Sequence, residues 1–154
     1  MSKNTGAKQM THYQYPYEEL YTPAELRRLQ VLENRYRNSA RETFTKRVEF
    51  YHKATGGIYT SITIRDQKSR WGSCSSRGTL SFNYRLVFAP PAVLDYVVVH
   101  ELCHLTHMNH SKDFWNMVAS VMPDYKTYKN WLKEHGQELT LEKHLLRQGI
   151  PLKL

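Results

Sequence analysis

Cysteine is scarce in this chain, and long apolar runs are absent. Cys74 and Cys103 are the only 2 cysteines among 154 residues, so they form no disulfide framework and are predicted to be small packed residues. No apolar run approaches the roughly 18 residues that a membrane span needs. The first ten residues lack the apolar stretch of a secretory signal. These absences predict a cytoplasmic protein with no membrane partner.

The chain is rich in aromatic residues, which make up 12% of it and include 11 tyrosines. A disordered chain would be poor in them, so a folded domain is expected. The length suits one domain with a real core. Residues 1–21 are polar and tyrosine-rich and are predicted to form a loose arm. The domain is predicted to span residues 22–136, and the leucine-rich tail, residues 137–154, to dock on it.

Positive charge is in excess, with a net charge of +8. Much of it lies between residues 27 and 47, and Glu25, Glu33, Glu42 and Glu49 alternate with these cations at spacings that suit ion pairs within a helix. We favour a solvated helix face, and the alternative is a nucleic-acid contact through basic helices over residues 23–53. The cations concerned are Arg27, Arg28, Arg35, Arg37, Arg41, Lys46 and Arg47.

Capping patterns and apolar spacing predict the helices. Thr22-Pro23-Ala24-Glu25 is a capping box with proline at the first helical position. Ser39-Ala40-Arg41-Glu42 repeats the pattern and predicts a second helix that ends at Gly56-Gly57. Pro90-Pro91 should open a helix that is apolar on most sides and therefore buried. Ser111 should cap a further helix, which Pro123 interrupts, and a last one should end near Gly136.

Two segments alternate between apolar and polar residues and predict half-buried strands. Ile62 and Ile64 mark the first, and the second runs from Leu80 to Leu86. Residues 75–78 between them have the composition of a turn. The whole pattern predicts an α+β domain, in which a small sheet packs on the buried helix and further helices flank it.

The buried helix carries His100-Glu101-Leu102-Cys103-His104, an HExxH motif. Histidines four residues apart lie one turn apart on one helix face, so both imidazoles can bind one zinc ion. The glutamate lies beside the site, where it can accept a proton from a water bound to the metal. We therefore predict one Zn²⁺ per chain, with Glu101 as the general base.

A catalytic zinc site needs a third protein ligand, and two histidines are candidates. His107 shares the helical face of His104, but it lies about 10 Å along the axis from His100 at 1.5 Å per residue. His110 follows Asn109, a residue type that tolerates the left-handed conformation in which helices end. We favour His110, with His107 at the rim of the site or supporting a ligand.

Four further residues are candidates for substrate binding. Trp71 could pack under the metal helix or form a platform for substrate. Arg70 could stabilise a developing oxyanion or pair with a carboxylate. Asn83 and Arg85 are predicted on the polar face of a strand, where they could line a cleft that receives an extended peptide by strand addition.

Two long segments, RWGSCSSRGTLSFNYRL (70–86) and VVVHELCHLTHMNHSKDFW (97–115), are followed by PDY and WLKEHG. Together they resemble the YgjP-like metal-dependent hydrolases, relatives of SprT-like proteases among the zincins. The resemblance covers roughly residues 60–136. It implies a zincin-like α+β fold, three histidine ligands of which the third matches His110, and Glu101 as general base.

The function predicted from the sequence is a zinc-dependent hydrolase, and the family resemblance indicates that its substrate is a peptide or protein. One alternative is a SprT-like protease that is recruited to nucleic acid. The other is a zinc-binding module that binds a partner without catalysis. Glu101 favours the enzyme, because a purely structural zinc site has no use for a carboxylate that is not a ligand.

Overall fold

A long helix leads the fold in the computed structural model, which describes residues 20–153; most of the predicted arm, residues 1–19, lies outside that range. Helix α1 (Pro23–Thr55) begins with the predicted capping box, in which Thr22 Oγ1 accepts a hydrogen bond from Glu25 N–H and Glu25 Oε1 accepts one from Thr22 N–H. It ends at Gly56, whose φ is 69°.

The predicted second helix start at Ser39 is wrong, because α1 is continuous over 33 residues. Neither proline nor glycine occurs between residues 24 and 55. Ala40, Phe44 and Val48 continue one buried stripe across the predicted break. The serine and glutamate of a capping box are ordinary interior residues where no breaker precedes them.

Over the described residues the sheet has three strands, β1 (Ser61–Arg65), β2 (Gly72–Cys74) and β3 (Thr79–Asn83), in the order β1-β3-β2. Strand β3 pairs in parallel with β1 and antiparallel with β2. The predicted turn at residues 75–78 joins β2 to β3, and the sequence analysis missed β2. Gly78 has a φ of 88° in this turn, so a side chain there would be strained.

The second predicted strand extends too far. Strand β3 ends at Asn83, whose Oδ1 accepts a hydrogen bond from Arg85 N–H and so begins a 3₁₀ helix, Tyr84–Phe88. The strand is also not half-buried, because its last four residues are all buried. Both edges of β3 are paired, because it is the central strand, and on one of its faces the Phe82 ring stacks on Phe44 of α1 at 4.5 Å.

Helix α2 (Pro91–Cys103) begins at the predicted prolines and is buried on most sides. Helices α3 (Lys112–Val121) and α4 (Tyr125–His135) follow, and Ser111, Pro123 and Gly136 play the predicted capping and breaking roles. No helix within residues 20–153 is both long and apolar enough to cross a bilayer.

A short 3₁₀ turn (Gly136–Glu138) and helix α5 (Leu141–Arg147) follow, so the prediction that the last helix ends near Gly136 is wrong. As expected of the tail, Leu141 and Leu145 are buried, and they form a small cluster with Leu29 of α1. Leu146 of the same helix is 60% exposed. The α+β architecture is therefore the predicted one, with one sheet, the buried helix α2 and flanking helices.

Candidate metal centre

Three histidine side chains meet at one end of α2. His100 lies on the helix, His104 directly follows it, and His110 precedes α3. One ring nitrogen from each lies within 4.8 Å of the others. The Nε2 atoms of His104 and His110 are 3.1 Å apart. The structure thus brings together the two histidines of the HExxH motif and the favoured third candidate.

The segment between α2 and His110 does not have the conformation that was predicted from Asn109. Helix α2 ends at Cys103, six residues before the predicted end at Asn109. Consecutive turns follow, in which Leu105 N–H and Thr106 N–H bond to carbonyls three residues back. No non-glycine residue within residues 20–153 has a positive φ, so Asn109 is not left-handed.

His107 lies outside the cluster, but its backbone supports it. The His107 carbonyl oxygen is 2.9 Å from His104 Nδ1. A hydrogen bond donated from Nδ1 leaves the Nε2 lone pair free to bind a metal and fixes the plane of the ring. His107 therefore supports a neighbouring imidazole through its main chain.

Two aromatic residues of α3 hold the histidine rings in place. Phe114 stacks on His104 with ring centroids 4.3 Å apart, and Trp115 stacks on His110 at 5.7 Å. Desolvation lowers the pKa of His110, and His100 and His104 lower it further. The lowered pKa favours the neutral imidazole, the form that binds a metal.

Glu101 is buried beside the histidines, with 4% of its surface exposed. Its Oε2 lies 3.2 Å from His100 Nδ1. The backbone of Gly72 in β2 lies directly against it, because a Cβ atom at Gly72 would be 3.0 Å from both Cγ and Oε2 of Glu101. The glycine of the RWGSCS segment thus provides the space for this carboxylate.

A cleft of about 540 Å³ opens onto His100 and Glu101. Helices α2 and α4 and the loop before β2 contribute most of its lining. Two of the predicted substrate-binding residues, Arg70 and Trp71, lie in it. The other lining residues are Ser69, Gly72, Tyr96, Val97, Lys129, Asn130, Leu132 and Lys133.

The other two predicted substrate-binding residues are buried and engaged with protein. Asn83 Nδ2 donates hydrogen bonds to the carbonyls of Gln67 and Arg70, at 2.6 and 3.1 Å. Arg85 lies on the 3₁₀ helix and not on a strand. Strand β3 itself is paired on both sides and so has no free edge for a peptide. A substrate-binding role for the four residues stays a prediction.

Arg85 links three parts of the structure. Its guanidinium donates to the carbonyls of Gln67 and Leu139, and its Nε lies 3.3 Å from Asp66 Oδ1. It also lies 5.2 Å above the Trp71 ring. These contacts tie the loop that lines the cleft to the sheet and to the C-terminal segment.

Sequence reasoning missed Gly72 as a site residue, along with Tyr96 and Lys129 of the cleft. Tyr96 is buried, and its pKa is raised first by desolvation and then by Glu101 and Tyr125. Only Gly72 gave a signal, as the glycine next to Trp71 in a segment predicted to pack under the metal helix. The contacts of Tyr96 and Lys129 depend on how helices pack, which spacing along the chain does not specify.

The cations of α1 are partly used within the fold. Arg47 makes a bidentate ion pair with Asp95 at 2.9 Å, and Arg37 and Lys46 are within 4.0 Å of glutamates one turn away. The two pairs within α1 fit the interpretation as a solvated helix face, whereas Arg47 joins α1 to α2. Contact with nucleic acid through residues 23–53 stays a prediction.

A protein-family model, the YgjP-like metallopeptidase domain, matches residues 3–135. The chain belongs to the YgjP-like metallopeptidase family. The fold of this YgjP-like domain is similar to that of a solved structure, the metallopeptidase zymogen abylysin of Pyrococcus abyssi, with a TM-score of 0.53 at 22% sequence identity. The similarity covers 59% of this chain and 93% of abylysin. No curated protein sequence matches at a significant level.

The resemblance stated from the two motifs is therefore confirmed, as is the zincin-like α+β fold. Family membership supports a metal-dependent peptidase, and the cluster of His100, His104 and His110 is a possible site for the metal ion.

Proposed function

We propose that this YgjP-like domain is a zinc peptidase in which His100, His104 and His110 hold the metal and Glu101 is the general base. The observation that carries the proposal is the meeting of these three imidazoles beside a buried carboxylate, at the end of an open cleft. These residues could supply the metal ligands and the general base of a metal-assisted hydrolysis site.

The donor set fits zinc. Imidazole is a preferred zinc ligand, and two imidazole nitrogens on one tetrahedral zinc are about 3.3 Å apart for bonds of 2.0–2.1 Å. The Nε2 atoms of His104 and His110 are 3.1 Å apart. Within residues 20–153 the cluster contains three possible ligands. Structural zinc sites have four protein ligands, whereas catalytic ones have three and an open position.

A zinc ion in such a site polarises a scissile carbonyl and lowers the pKa of water. Glu101 would accept a proton from the attacking water and deliver it to the nitrogen of the leaving amine. Its contact with Gly72 limits the positions that its carboxylate can take. The hydrogen bond between His104 Nδ1 and the His107 carbonyl holds one ligand ring for the metal.

A peptide is the substrate that the family favours, and the cleft is large enough for several of its side chains. Trp71 lines the cleft, and its ring packs closely against Gly136, since a Cβ atom at Gly136 would be 2.9 Å from Trp71 Cζ2. A ring supported in this way is a rigid apolar surface for a substrate side chain.

Metal analysis and a cleavage assay test the proposal together. The purified protein should bind about one zinc per chain, and His100→Ala or His104→Ala should abolish stoichiometric binding, since two ligands leave a weak site. The zinc-loaded protein should cleave unstructured proteins. Removal of the metal by a chelator should abolish this cleavage, and addition of zinc should restore it. Full zinc occupancy in both variants, or cleavage that chelation does not affect, would contradict it.

A further inference from the structure

Four exposed cations line the cleft and its continuation past Trp71. Lys68 and Arg70 come from the loop before β2, and Lys129 and Lys133 lie one turn apart on α4. Two separate elements therefore direct positive charge to the space in front of His100 and Glu101.

These cations have no carboxylate partner within residues 20–153. None of the four forms an ion pair within 4.0 Å. Of the carboxylates nearest in sequence, Asp66 pairs with Arg85, and Glu134 and Glu138 lie 3.9 and 3.0 Å from nitrogens of His135. The positive charge is therefore available to a molecule in the cleft.

Lys129 connects the cleft to the histidine cluster. Its Nζ lies 4.4 Å from the centroid of the Trp115 ring, a cation–π contact that fixes the ammonium group. Trp115 in turn stacks on His110. The charge of Lys129 is thus held close to the proposed metal ligands, while Lys133 extends the same face of α4 by one turn.

Among the residues of the described range 20–153 that line the cleft, Glu101 is the only carboxylate. A cavity lined by charges of one sign concentrates its field, and charges within about 8 Å of each other interact appreciably at physiological ionic strength. A carboxylate in the cleft would meet this field, whereas a lysine or arginine side chain would be repelled by it.

We propose that the cleft selects peptides with acidic side chains next to the scissile bond, and that Lys129 and Lys133, with Lys68 and Arg70, determine this specificity. The proposal rests on the proposed peptidase function, since it names the substrate class of the same site. The four cations line two adjoining pockets, one of which contains His100 and Glu101, so a peptide positioned for hydrolysis would lie among them. A single-stranded nucleic acid would instead stack on successive aromatic side chains, and the experiment below includes it.

A binding experiment tests the proposal without hydrolysis. Zinc-loaded Glu101→Gln protein is titrated with three fluorescein-labelled dodecapeptides of equal length, in which alternate residues are glutamate, glutamine or lysine. The glutamate peptide should bind about tenfold more tightly than the glutamine peptide, and this advantage should shrink as salt is raised. The lysine peptide should bind least well.

Matched double variants in the same Glu101→Gln protein locate the effect. Lys129→Gln with Lys133→Gln should remove most of the preference for glutamate. Lys126→Gln with Lys143→Gln removes the same charge from exposed positions outside the cleft, and it should leave the preference unchanged. Equal binding of the three peptides, or equal effects of the two double variants, would overturn the proposal. The proposal would also be overturned if a labelled single-stranded oligonucleotide bound more tightly than the glutamate peptide and only the Lys129→Gln/Lys133→Gln variant abolished that binding.

Cleavage by the wild-type protein separates this proposal from the one on which it rests. If neutral and acidic peptides are cleaved equally well, the specificity is wrong and the peptidase stands. If the glutamate peptide is bound with the stated preference but no peptide is cleaved, the peptidase is wrong and the cleft is an anion-selective binding site. Faster cleavage of glutamate peptides by wild type than by the cleft variant supports both.

Discussion

Gly72 of β2 and Glu101 of α2 are in such close contact that no side chain fits between them. A Cβ atom at residue 72 would be 3.0 Å from Glu101 Oε2 and 3.1 Å from Val97 Cγ1. Strand β2 therefore packs directly against the proposed general base, and the position of the Glu101 carboxylate depends on the absence of a methyl group at residue 72.

Gly72→Ala should slow hydrolysis without loss of zinc. The added methyl group displaces the Glu101 carboxylate by a few tenths of an ångström, and small misplacements of a catalytic group are costly. We expect kcat to fall about tenfold with zinc content unchanged, measured on any peptide that the wild type cleaves. Ser73→Ala in the same strand is the control and should retain activity. A fully active Gly72→Ala would show that this contact does not position the carboxylate.

The two candidates for the third ligand make opposite predictions. His110→Ala should lose zinc almost as completely as His104→Ala, because its ring is one of the three in the cluster. His107→Ala should keep zinc, because His107 acts through its carbonyl group. Zinc titration with a competing chromophoric chelator measures both. Retention of zinc by His110→Ala together with its loss in His107→Ala would reverse the assignment.

Arg85→Met should destabilise the fold by about 3 kcal/mol, since it leaves the buried carboxylate of Asp66 without its partner. Burial raises the pKa of Asp66, while Arg85 and Arg37 lower it. Replacing Asp66 as well, in Asp66→Asn/Arg85→Met, should restore part of the loss. Urea unfolding of the single and double variants measures the coupling. Additive losses in the double variant would contradict a coupled buried pair.

The docking of α5 should make stability depend on pH through His144. Burial lowers the pKa of His144, as does Arg147, and the ring stacks on Phe88 at 4.5 Å. The folded state then binds fewer protons than the unfolded one, so this contribution is present above pH 6.5 and is lost as the pH falls below it.

Urea unfolding of metal-free protein at pH 7.5 and 5.5 measures the effect. His144→Gln should lose less stability than the wild type between the two values. An equal loss in both proteins would show that His144 does not titrate differently on folding.

The sequence predicts this fold best where one residue type determines local geometry. Thr22, Pro91, Ser111 and Gly136 cap or break helices as expected, because their effect needs only a few neighbouring residues. The capping pattern at Ser39 misleads because the buried stripe of α1 continues through it. Burial by tertiary packing outweighs a local pattern there.

For the site, spacing along a helix predicts that His100 and His104 share a face, and the rest depends on contacts between elements. Helix α2 ends at Cys103 and successive turns follow it, but no glycine or proline in the sequence indicates that end. Strand β2 has three residues and no alternation that could be recognised. The contact of Gly72 with Glu101 and the position of Lys129 over Trp115 exist only in the folded chain.

Replacement of Glu101 by glutamine tests the central claim most directly. Glutamine keeps the shape and volume of the side chain but cannot accept the proton. Glu101→Gln should bind zinc with near-normal affinity and stay folded, and its rate of peptide hydrolysis should fall by roughly 10²–10⁴-fold, the usual effect of losing general acid–base catalysis. Hydrolysis by the zinc-loaded variant at the wild-type rate would show that Glu101 is not the base and would contradict the account.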